Sequence, residues 1–293
     1  MEPTRILSIS RPRFWLYELG TFFIGALTVI PTFGELTRYD ILLYAIFFLF
    51  PANLLIYGIN DIFDYETDKL NPKKVEYEAL VHPKEHNALF SWILMLTLPF
   101  AVLVFWLPIP HMISFYAFLF FAIFYSAKPI RAKSRPILDS FFSAGHYVAT
   151  GVFGYYLAGG QSFPLLGVIA GMCWAIAMHA FSAVPDIKAD KEAGVNTIAT
   201  KFGKYPTMLL CSVLYIVSAL LMYFVIGWYA LFAGFIYILI IYHAYTARSY
   251  PRLFKIYSYF PWVNTSVSAM WVIGSIKRIF ASGYWNISSQ NTV

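Results

Sequence analysis

Nine long apolar stretches dominate the chain, at roughly residues 14–33, 41–60, 89–107, 112–127, 138–158, 164–184, 208–226, 228–246 and 259–279. An α-helix needs about 20 consecutive, mostly apolar residues to cross the hydrocarbon core of a bilayer, and these stretches approach that length. Of the 293 residues 59% are hydrophobic and only 12% are charged, with a mean hydropathy of +0.63. Soluble domains carry about 25% charged residues. The expected fold is all-α and polytopic: residues 1–293 as a single transmembrane domain of about nine helices bundled around a central cavity.

The connections between the stretches give the orientation. Basic residues crowd alternate connections: Arg5, Arg11 and Arg13; Lys69, Lys73, Lys74 and Lys84; Lys128, Arg131, Lys133 and Arg135; Lys188, Lys191, Lys201 and Lys204; Arg248, Arg252 and Lys255. That places 18 of the 21 on one side and only Arg38, Lys277 and Arg278 on the other. Cytoplasmic loops carry the excess of Lys and Arg. The N-terminus is therefore expected in the cytoplasm and the C-terminus outside, in the cell (plasma) membrane. The same loops account for the net charge of +6, so the expected partner is a lipid bilayer and not nucleic acid. Cys173 and Cys211 lie inside apolar stretches without metal-type spacing, which points away from disulfides and zinc. The first stretch has no small-residue cleavage site and reads as a retained span.

Acidic residues are gathered as well. Ten of the 15 fall between Asp61 and Glu85 or between Asp186 and Glu192, after the second and sixth stretches and on the same side. "NDIFDYETD" after the second is echoed by "VPDIKAD" after the sixth, as two parallel four-span halves would produce. On a helix Asn53, Tyr57, Asn60, Asp64 and Asp68 form one stripe, with Asp61 three residues before Asp64. Asp186 and Asp190 share a face too, and His179 lies seven residues before Asp186. Clustered carboxylates cannot all stay ionised without counter-charge. Lys69, Lys73 and Lys188 can supply it at an ordinary helix end. A divalent cation supplies it better, since Mg²⁺ takes one or two carboxylates and completes its shell with phosphate oxygens. Two such motifs on one side favour the metal.

The loop "YSAKPIRAKSRPILD" carries what a diphosphate needs: cations at Lys128, Arg131 and Lys133, and a hydroxyl donor at Tyr125. Asp139, Ser143 and His146 form a further polar stripe, suited either to lining a pocket or to hydrogen bonds between helices. Glu18, one turn inside the first stretch, is expected to pair with a nearby Arg or Lys. Aromatic residues make up 20% of the chain; their faces can stabilise a carbocation, although interfacial belts and packing also use them. Two other classes remain. A transporter would place its polar residues near the bilayer midplane, whereas here they crowd at the cytoplasmic mouth. A lipid phosphotransferase would combine its aspartates with a glycine and arginine signature that is absent.

With these residues in place, the chain resembles the UbiA superfamily of intramembrane prenyltransferases. That family carries Asn-Asp-x-x-Asp-x-x-x-Asp after its second helix and Asp-x-x-x-Asp after its sixth, which here read "NDIFDYETD" (Asn60–Asp68) and "DIKAD" (Asp186–Asp190), the latter followed by "KEAGVNTIA". The resemblance implies that Asp61, Asp64, Asp68, Asp186 and Asp190 are catalytic and hold Mg²⁺. It implies an allylic prenyl diphosphate as donor, near Asn60, Tyr125, Lys128, Arg131 and Lys133, with Asn53, Tyr57, His146 and His179 as further substrate-binding candidates. The family often shows Tyr-x-x-x-Lys after the fourth span, but only two residues separate Tyr125 from Lys128. The strings "SRPRFW", "FPANLLIYGINDIFDYETDKLNPKK" and "YSAKPIRAKSRPILD" are most similar to the lycopene elongase branch. That likeness implies a carotenoid acceptor, lycopene, five-carbon dimethylallyl diphosphate as donor, and hydration of the new end as an option; a quinone precursor or a polar lipid is the alternative acceptor. The residues agree with a neutral acceptor, because no Arg or Lys lies inside stretches five and six to meet a buried carboxylate.

The charge alternation gives a direct test. Fusing a reporter that is active only in the cytoplasm to each terminus should give signal at Met1 and none at Val293; signal at both ends contradicts an odd number of crossings.

Overall fold

In the computed structural model the described residues are 1–69, 80–192 and 194–288, with side chains described except for Phe33, Thr67, Arg278 and 281–288. Lys73, Lys74, Glu76 and Glu78 fall outside the described residues. No strand occurs among them. The chain opens with α1 (Pro3–Ile9) and α2 (Trp15–Leu27). A kinked pair follows, α3 (Tyr39–Leu49) and α4 (Pro51–Asp68), and then α5 (His86–Leu103), α6 (Ile109–Ser126), α7 (Leu138–Leu157) and α8 (Leu165–Ser182). Short α9 (Ile187–Glu192) and α10 (Ile198–Phe202) lead into α11 (Lys204–Ile226) and α12 (Trp228–Thr246); α13 (Tyr250–Ser258) and α14 (Phe260–Ser288) complete the described chain.

Six stretches among the described residues are long and apolar enough to cross a membrane: Tyr39–Glu66, Pro83–Trp106, Ile109–Ser126, Leu165–Ser182, Lys204–Ile226 and Trp228–Thr246. The other three expected stretches are also helical, as α2, α7 and α14, but they are shorter or more polar. The 13 residues of α2 span about 20 Å at 1.5 Å per residue. Buried Asp139, Ser140, Ser143, His146 and Thr150 lower the apolarity of α7.

The 28-residue span Tyr39–Glu66 contains a break with a local cause. Pro51 has no N–H, and its ring clashes with the carbonyl four residues back, so a helix cannot run through it unchanged. In a bilayer the freed carbonyls need partners from the protein. Asn53 supplies them: its Nδ2 donates to the Phe48 and Leu49 carbonyls, both at 3.0 Å, and the residue is 1% exposed.

Two aromatic-rich cores sit side by side. The first joins α2, α3, α6 and α7 through Phe22, Phe47, Phe48, Phe115, Phe118 and Phe153, all fully buried. Ring centroids there lie 5.1 Å apart for Phe47–Phe115, and 5.3 Å apart for Phe48–Phe118 and Phe22–Phe48. The second joins α8, α11, α12 and α14 through Phe181, Tyr215, Tyr237 and Phe260. Lipid tails are as apolar as these side chains, so close packing rather than water exclusion has to hold such helices together.

The tightest contact is between α2 and α7. A Cβ at Gly25 would stand 1.8 Å from the Gly151 carbonyl oxygen, and one at Gly154 would stand 2.2 Å from the Phe22 carbonyl oxygen. These obstacles are backbone, which cannot rotate aside. Gly20 on α2 has nothing within 4 Å of its Cβ direction. Gly25→Val should therefore separate α2 from α7 at an overpacking cost of about 1–3 kcal/mol or more, while Gly20→Ala should be tolerated. Thermal unfolding in detergent, followed by loss of monodisperse protein, checks the pair; equal melting of both variants would contradict the contact.

Candidate active site

The first acidic motif occupies the last turns of α4, which is continuous from Pro51 to Asp68. The stripe expected from the sequence, Asn53, Tyr57, Asn60, Asp64 and Asp68 with Asp61 three residues before Asp64, therefore lies on a single helix. Asp61 and Asp64 are 3% and 4% exposed, and carboxylates buried to that degree need counter-charge. They receive it from two distant segments. Arg11, just before α2, places Nη2 2.9 Å from Asp61 Oδ1 and lays its guanidinium 4.6 Å from the centre of the Tyr57 ring. Arg131, in the loop between α6 and α7, places Nη2 3.2 Å from Asp64 Oδ1, and the Lys133 ammonium contacts Asp64 Oδ2.

Both arginines sit in strained backbone. Arg11 has φ of 53° and Arg131 of 44°, the left-handed region that non-glycine residues rarely occupy and that costs of order 1 kcal/mol or more. Each stands at the start of a short 3₁₀ turn, Pro12–Phe14 and Ala132–Ser134. Each therefore turns a loop back onto the same acidic helix end. Lys133 is half-buried there, and burial pulls its ammonium down to about 7 although Asp61 beside it opposes the fall. An ammonium so desolvated gains from an arriving anion.

A second group of partners lines the wall of this mouth. Asn60 Nδ2 donates to Ser126 Oγ at 3.2 Å. Tyr125 and His179 meet at 3.0 Å between the hydroxyl and Nε2, and Ser140 Oγ lies 3.1 Å from His179 Nδ1. Ser126 and Ser140 were not singled out from the sequence, because single serines in apolar helices carry no spacing signal. Lys128, by contrast, is exposed; of the basic loop residues, Arg131 and Lys133 reach the carboxylates.

The second acidic motif is built differently from the expected continuous helix. α8 ends at Ser182, so Asp186 stands in a turn and is not on the helix of His179. Asp186 and Asp190 are joined by the bond from Asp190 N to the Asp186 carbonyl at 2.8 Å, and both are partly buried. Tyr125 is within electrostatic range of Asp190, Tyr57 and Arg11. From α13, Tyr257 feels Asp186: burial, with Asp186 adding to it, pushes its phenol up to about 12. Tyr125 thus stands near both Tyr57 of the first acidic helix and Asp190 of the second motif.

Two expected site residues have other placements. Asn53 commits its amide to the break between α3 and α4, as described above. His146 places Nδ1 2.6 Å from Glu18 Oε1, which corrects the expectation that Glu18 pairs with Arg or Lys. The polar stripe of α7 is likewise divided among separate partners, since Asp139 Oδ2 accepts from the Ile198 backbone N–H at 2.9 Å.

All the candidate metal ligands are carboxylates, the hard oxygen donors that Mg²⁺ prefers. Among the described residues, no three His, Cys, Asp or Glu side chains gather around a point that could hold a metal. Mg²⁺ does not need three, because it takes one or two carboxylates and draws its other ligands from phosphate and water. The donor set fits an ion that arrives with its phosphate.

Inward of the mouth lies a cavity of about 600 Å³, within the usual range of about 300–1,000 Å³ for small-molecule pockets. It is walled by α2, α7, α8, α11, α12 and α14, with Tyr147, Trp174, Tyr215, Tyr237 and Trp271 among its lining residues. No Lys, Arg, His, Asp or Glu is among them. Tyr147 joins cavity to mouth, lying within electrostatic range of Tyr57, Tyr17 and Tyr125.

The chain matches known proteins throughout this region. A sequence model of the UbiA prenyltransferase family matches residues 19–273. The lycopene elongase/hydratase of Haloferax volcanii is 38% identical over 216 residues, 72% of this chain and 69% of that protein. The lycopene elongase/hydratase of Halobacterium salinarum is 38% identical over 213 residues, 72% of this chain and 76% of the other. The fold is that of a UbiA homologue from Archaeoglobus fulgidus, solved bound to GPP and Mg²⁺, with a TM-score of 0.68 at 18% identity, covering 94% of this chain and 99% of that one. The protein is an integral membrane protein that belongs to the UbiA prenyltransferase family.

Proposed function

We propose that the protein transfers a dimethylallyl group from its diphosphate to the end of lycopene, a neutral polyene. The observation that carries this reading is the cavity without a charged lining residue beside a mouth crowded with charge. A diphosphate suits the mouth, where Arg131 and Lys133 can pass from Asp64 to phosphate oxygens, and Tyr125 and Asn60 offer further donors. An acceptor with a carboxylate does not suit the cavity, since a buried anion without a fixed cation is costly. A hydrocarbon does, and the names of the relatives from Haloferax volcanii and Halobacterium salinarum support that class of acceptor.

In this reading Asp61, Asp64, Asp68, Asp186 and Asp190 would hold Mg²⁺. When bound, Mg²⁺ supplies Lewis acidity toward the departing diphosphate. The chain's own part is positional and electrostatic. Arg131 and Lys133 offset the negative charge that grows on the leaving group. The aromatic walls, with Tyr147 between mouth and cavity, exclude water and present ring faces to the allylic cation. The acceptor's terminal double bond then attacks the allylic carbon from the cavity side. The mouth faces the cytoplasm of a plasma membrane, and nine crossings place the C-terminus outside.

Asp64→Asn and Asp186→Asn keep shape while removing charge, and each should lower turnover by roughly a hundredfold or more, equal to about 2.7 kcal/mol at the transition state. Titration calorimetry should also lose the Mg²⁺ dependence of dimethylallyl diphosphate binding. Near-normal turnover and binding in both folded variants would mean that the site is wrongly placed.

Acceptor identity is tested in a lycopene-producing bacterium. Expression of the chain should convert the pigment to products heavier by one or two five-carbon units, read by mass spectrometry. Unchanged lycopene, together with prenylation of 4-hydroxybenzoate by purified protein, would overturn the neutral-acceptor reading.

A further inference from the structure

The cavity is several times larger than a five-carbon donor group needs. An apolar cavity of about 150 Å³ already takes benzene, a ring of six carbons, whereas the volume here is about 600 Å³. The cavity extends along α8 and α11, which run antiparallel and in contact. Cys211 Sγ lies 3.4 Å from the Ala177 carbonyl oxygen, and Ser218 Oγ donates to the Ala170 carbonyl oxygen at 2.9 Å. Lining residues reach from Leu165 to Ala175 on α8 and from Tyr215 to Ile226 on α11. At 1.5 Å per residue that is a length of about 15–17 Å.

Hydrogen bonds tell the two ends of the cavity apart. α8 reaches the mouth at His179, which meets Tyr125, and Ser126 next to Tyr125 accepts from Asn60 of the acidic helix. Counted back along α8 from His179, Trp174 lies about 8 Å away and Gly167 about 18 Å away. At the Trp174 level the bore is fixed. Trp174 Nε1 donates to the Tyr237 hydroxyl at 2.9 Å, and that hydroxyl donates to Asn264 Oδ1 at 2.8 Å. Tyr237 stacks on Tyr215 with ring centroids 4.3 Å apart, so α8, α11, α12 and α14 are braced together there. Gly167, far from the mouth, is in a different position. Glycine weakens a helix interior, and at Gly25 and Gly154 close backbone contact accounts for it. A Cβ at Gly167 would meet only the Pro164 side chain, at 4.0 Å. Gly167 shares the cavity-lining face of α8 with Gly171, Trp174 and Ala175, at spacings of three and four. The room left by its missing side chain is therefore cavity.

We propose that Gly167 is a specificity-determining residue: by lacking a side chain it keeps the far part of the cavity open for the chain that trails behind the acceptor's reacting end. The inference rests on the reading of lycopene as acceptor. A diphosphate held at the mouth keeps the donor's five carbons at the Trp174 end, and the acceptor's terminal double bond has to meet them there. The rest of the acceptor then runs away from the mouth, past Gly167. A conjugated polyene is a stiff rod and does not bend around an obstacle as a saturated chain can. The four carbons of a leucine side chain at position 167 stand in its path, while the donor's end of the cavity is unchanged.

The test measures kcat/KM for lycopene, and dimethylallyl diphosphate affinity by calorimetry, in purified wild type, Gly167→Ala, Gly167→Leu and Ile169→Phe. Ile169 is 42% exposed and outside the cavity, so its variant adds bulk to α8 on the lipid side. Alanine and leucine are better helix formers than glycine, and thermal unfolding checks that each variant is folded. Met222→Trp fills the same level from α11, one turn beyond the Ser218–Ala170 contact, and keeps the test decisive if Gly167→Leu does not fold. A single methylene in an apolar pocket changes discrimination about 10–200-fold. Gly167→Leu and Met222→Trp should therefore lower kcat/KM for lycopene at least about tenfold, and Gly167→Ala by less. Ile169→Phe should match wild type, and donor affinity should be the same in all variants. Wild-type kcat/KM in the folded filling variants overturns the proposal and leaves the acceptor reading intact. An equal loss of donor affinity also overturns it, because the donor would then occupy the far part of the cavity. Absence of lycopene elongation by wild type overturns the acceptor reading itself.

Discussion

A carboxylate placed near a bilayer has to find its counter-charge within the protein, and that constraint organises this molecule. Asp61 and Asp64 at the end of α4 are almost fully buried, and the groups that neutralise them come from before α2 and from the loop between α6 and α7. Ion pairs tie both segments to the acidic helix end. The left-handed backbone at Arg11 and Arg131 reflects the same demand, since two strained residues are held where an unstrained loop would aim its side chain elsewhere. The mouth is thus assembled around the acids, with the helices that carry Tyr125, Ser140 and His179 drawn in beside them.

Polar chemistry and apolar space are divided along the helices. α4, α6 and α8 end in Asp68, Ser126 and His179–Ser182 at the mouth, while the inner turns of α7, α8, α11, α12 and α14 contribute only neutral side chains to the cavity. Between the two zones stands Tyr147. A reacting molecule can then keep its charged part in one zone and its hydrocarbon part in the other, with the bond to be broken at the boundary. The glycine contact of α2 with α7 holds at backbone distance the two helices that share the buried Glu18–His146 pair.

Much of this was legible in the sequence, for reasons of period. Four-residue spacing put Tyr57, Asn60, Asp64 and Asp68 on one stripe, and α4 is continuous through all of them. Alternating loop charge identified the face on which Arg131 and Lys133 now meet Asp64. The failures have equally local causes. Asn53 lay on the same stripe, but Pro51 creates a carbonyl deficit two residues earlier and the amide is spent there. For Glu18 the sequence predicts a cation, because buried acids usually have one; its partner His146 is 128 residues away, and no spacing rule reports a contact between helices so far apart in the chain. Asp186 and His179 are seven apart, the spacing of one helix face, but a turn over residues 183–186 follows Ser182. Periodicity describes one helix at a time, and what it missed lies between helices or at their ends.

Because Arg11, Arg131 and Lys133 already contact Asp61 and Asp64, the proposed ligands would enter the mouth by partner exchange. A guanidinium would leave a carboxylate for a phosphate, and the carboxylate would take the cation that came with it. Ion pairs would be exchanged and not simply broken, as in an ion-exchange resin. An anion that arrives with its cation would give both members of each exchanged pair a new partner, which an anion or a cation alone would not. The mouth would then favour a salt over either of its ions before any contact with the hydrocarbon tail is made.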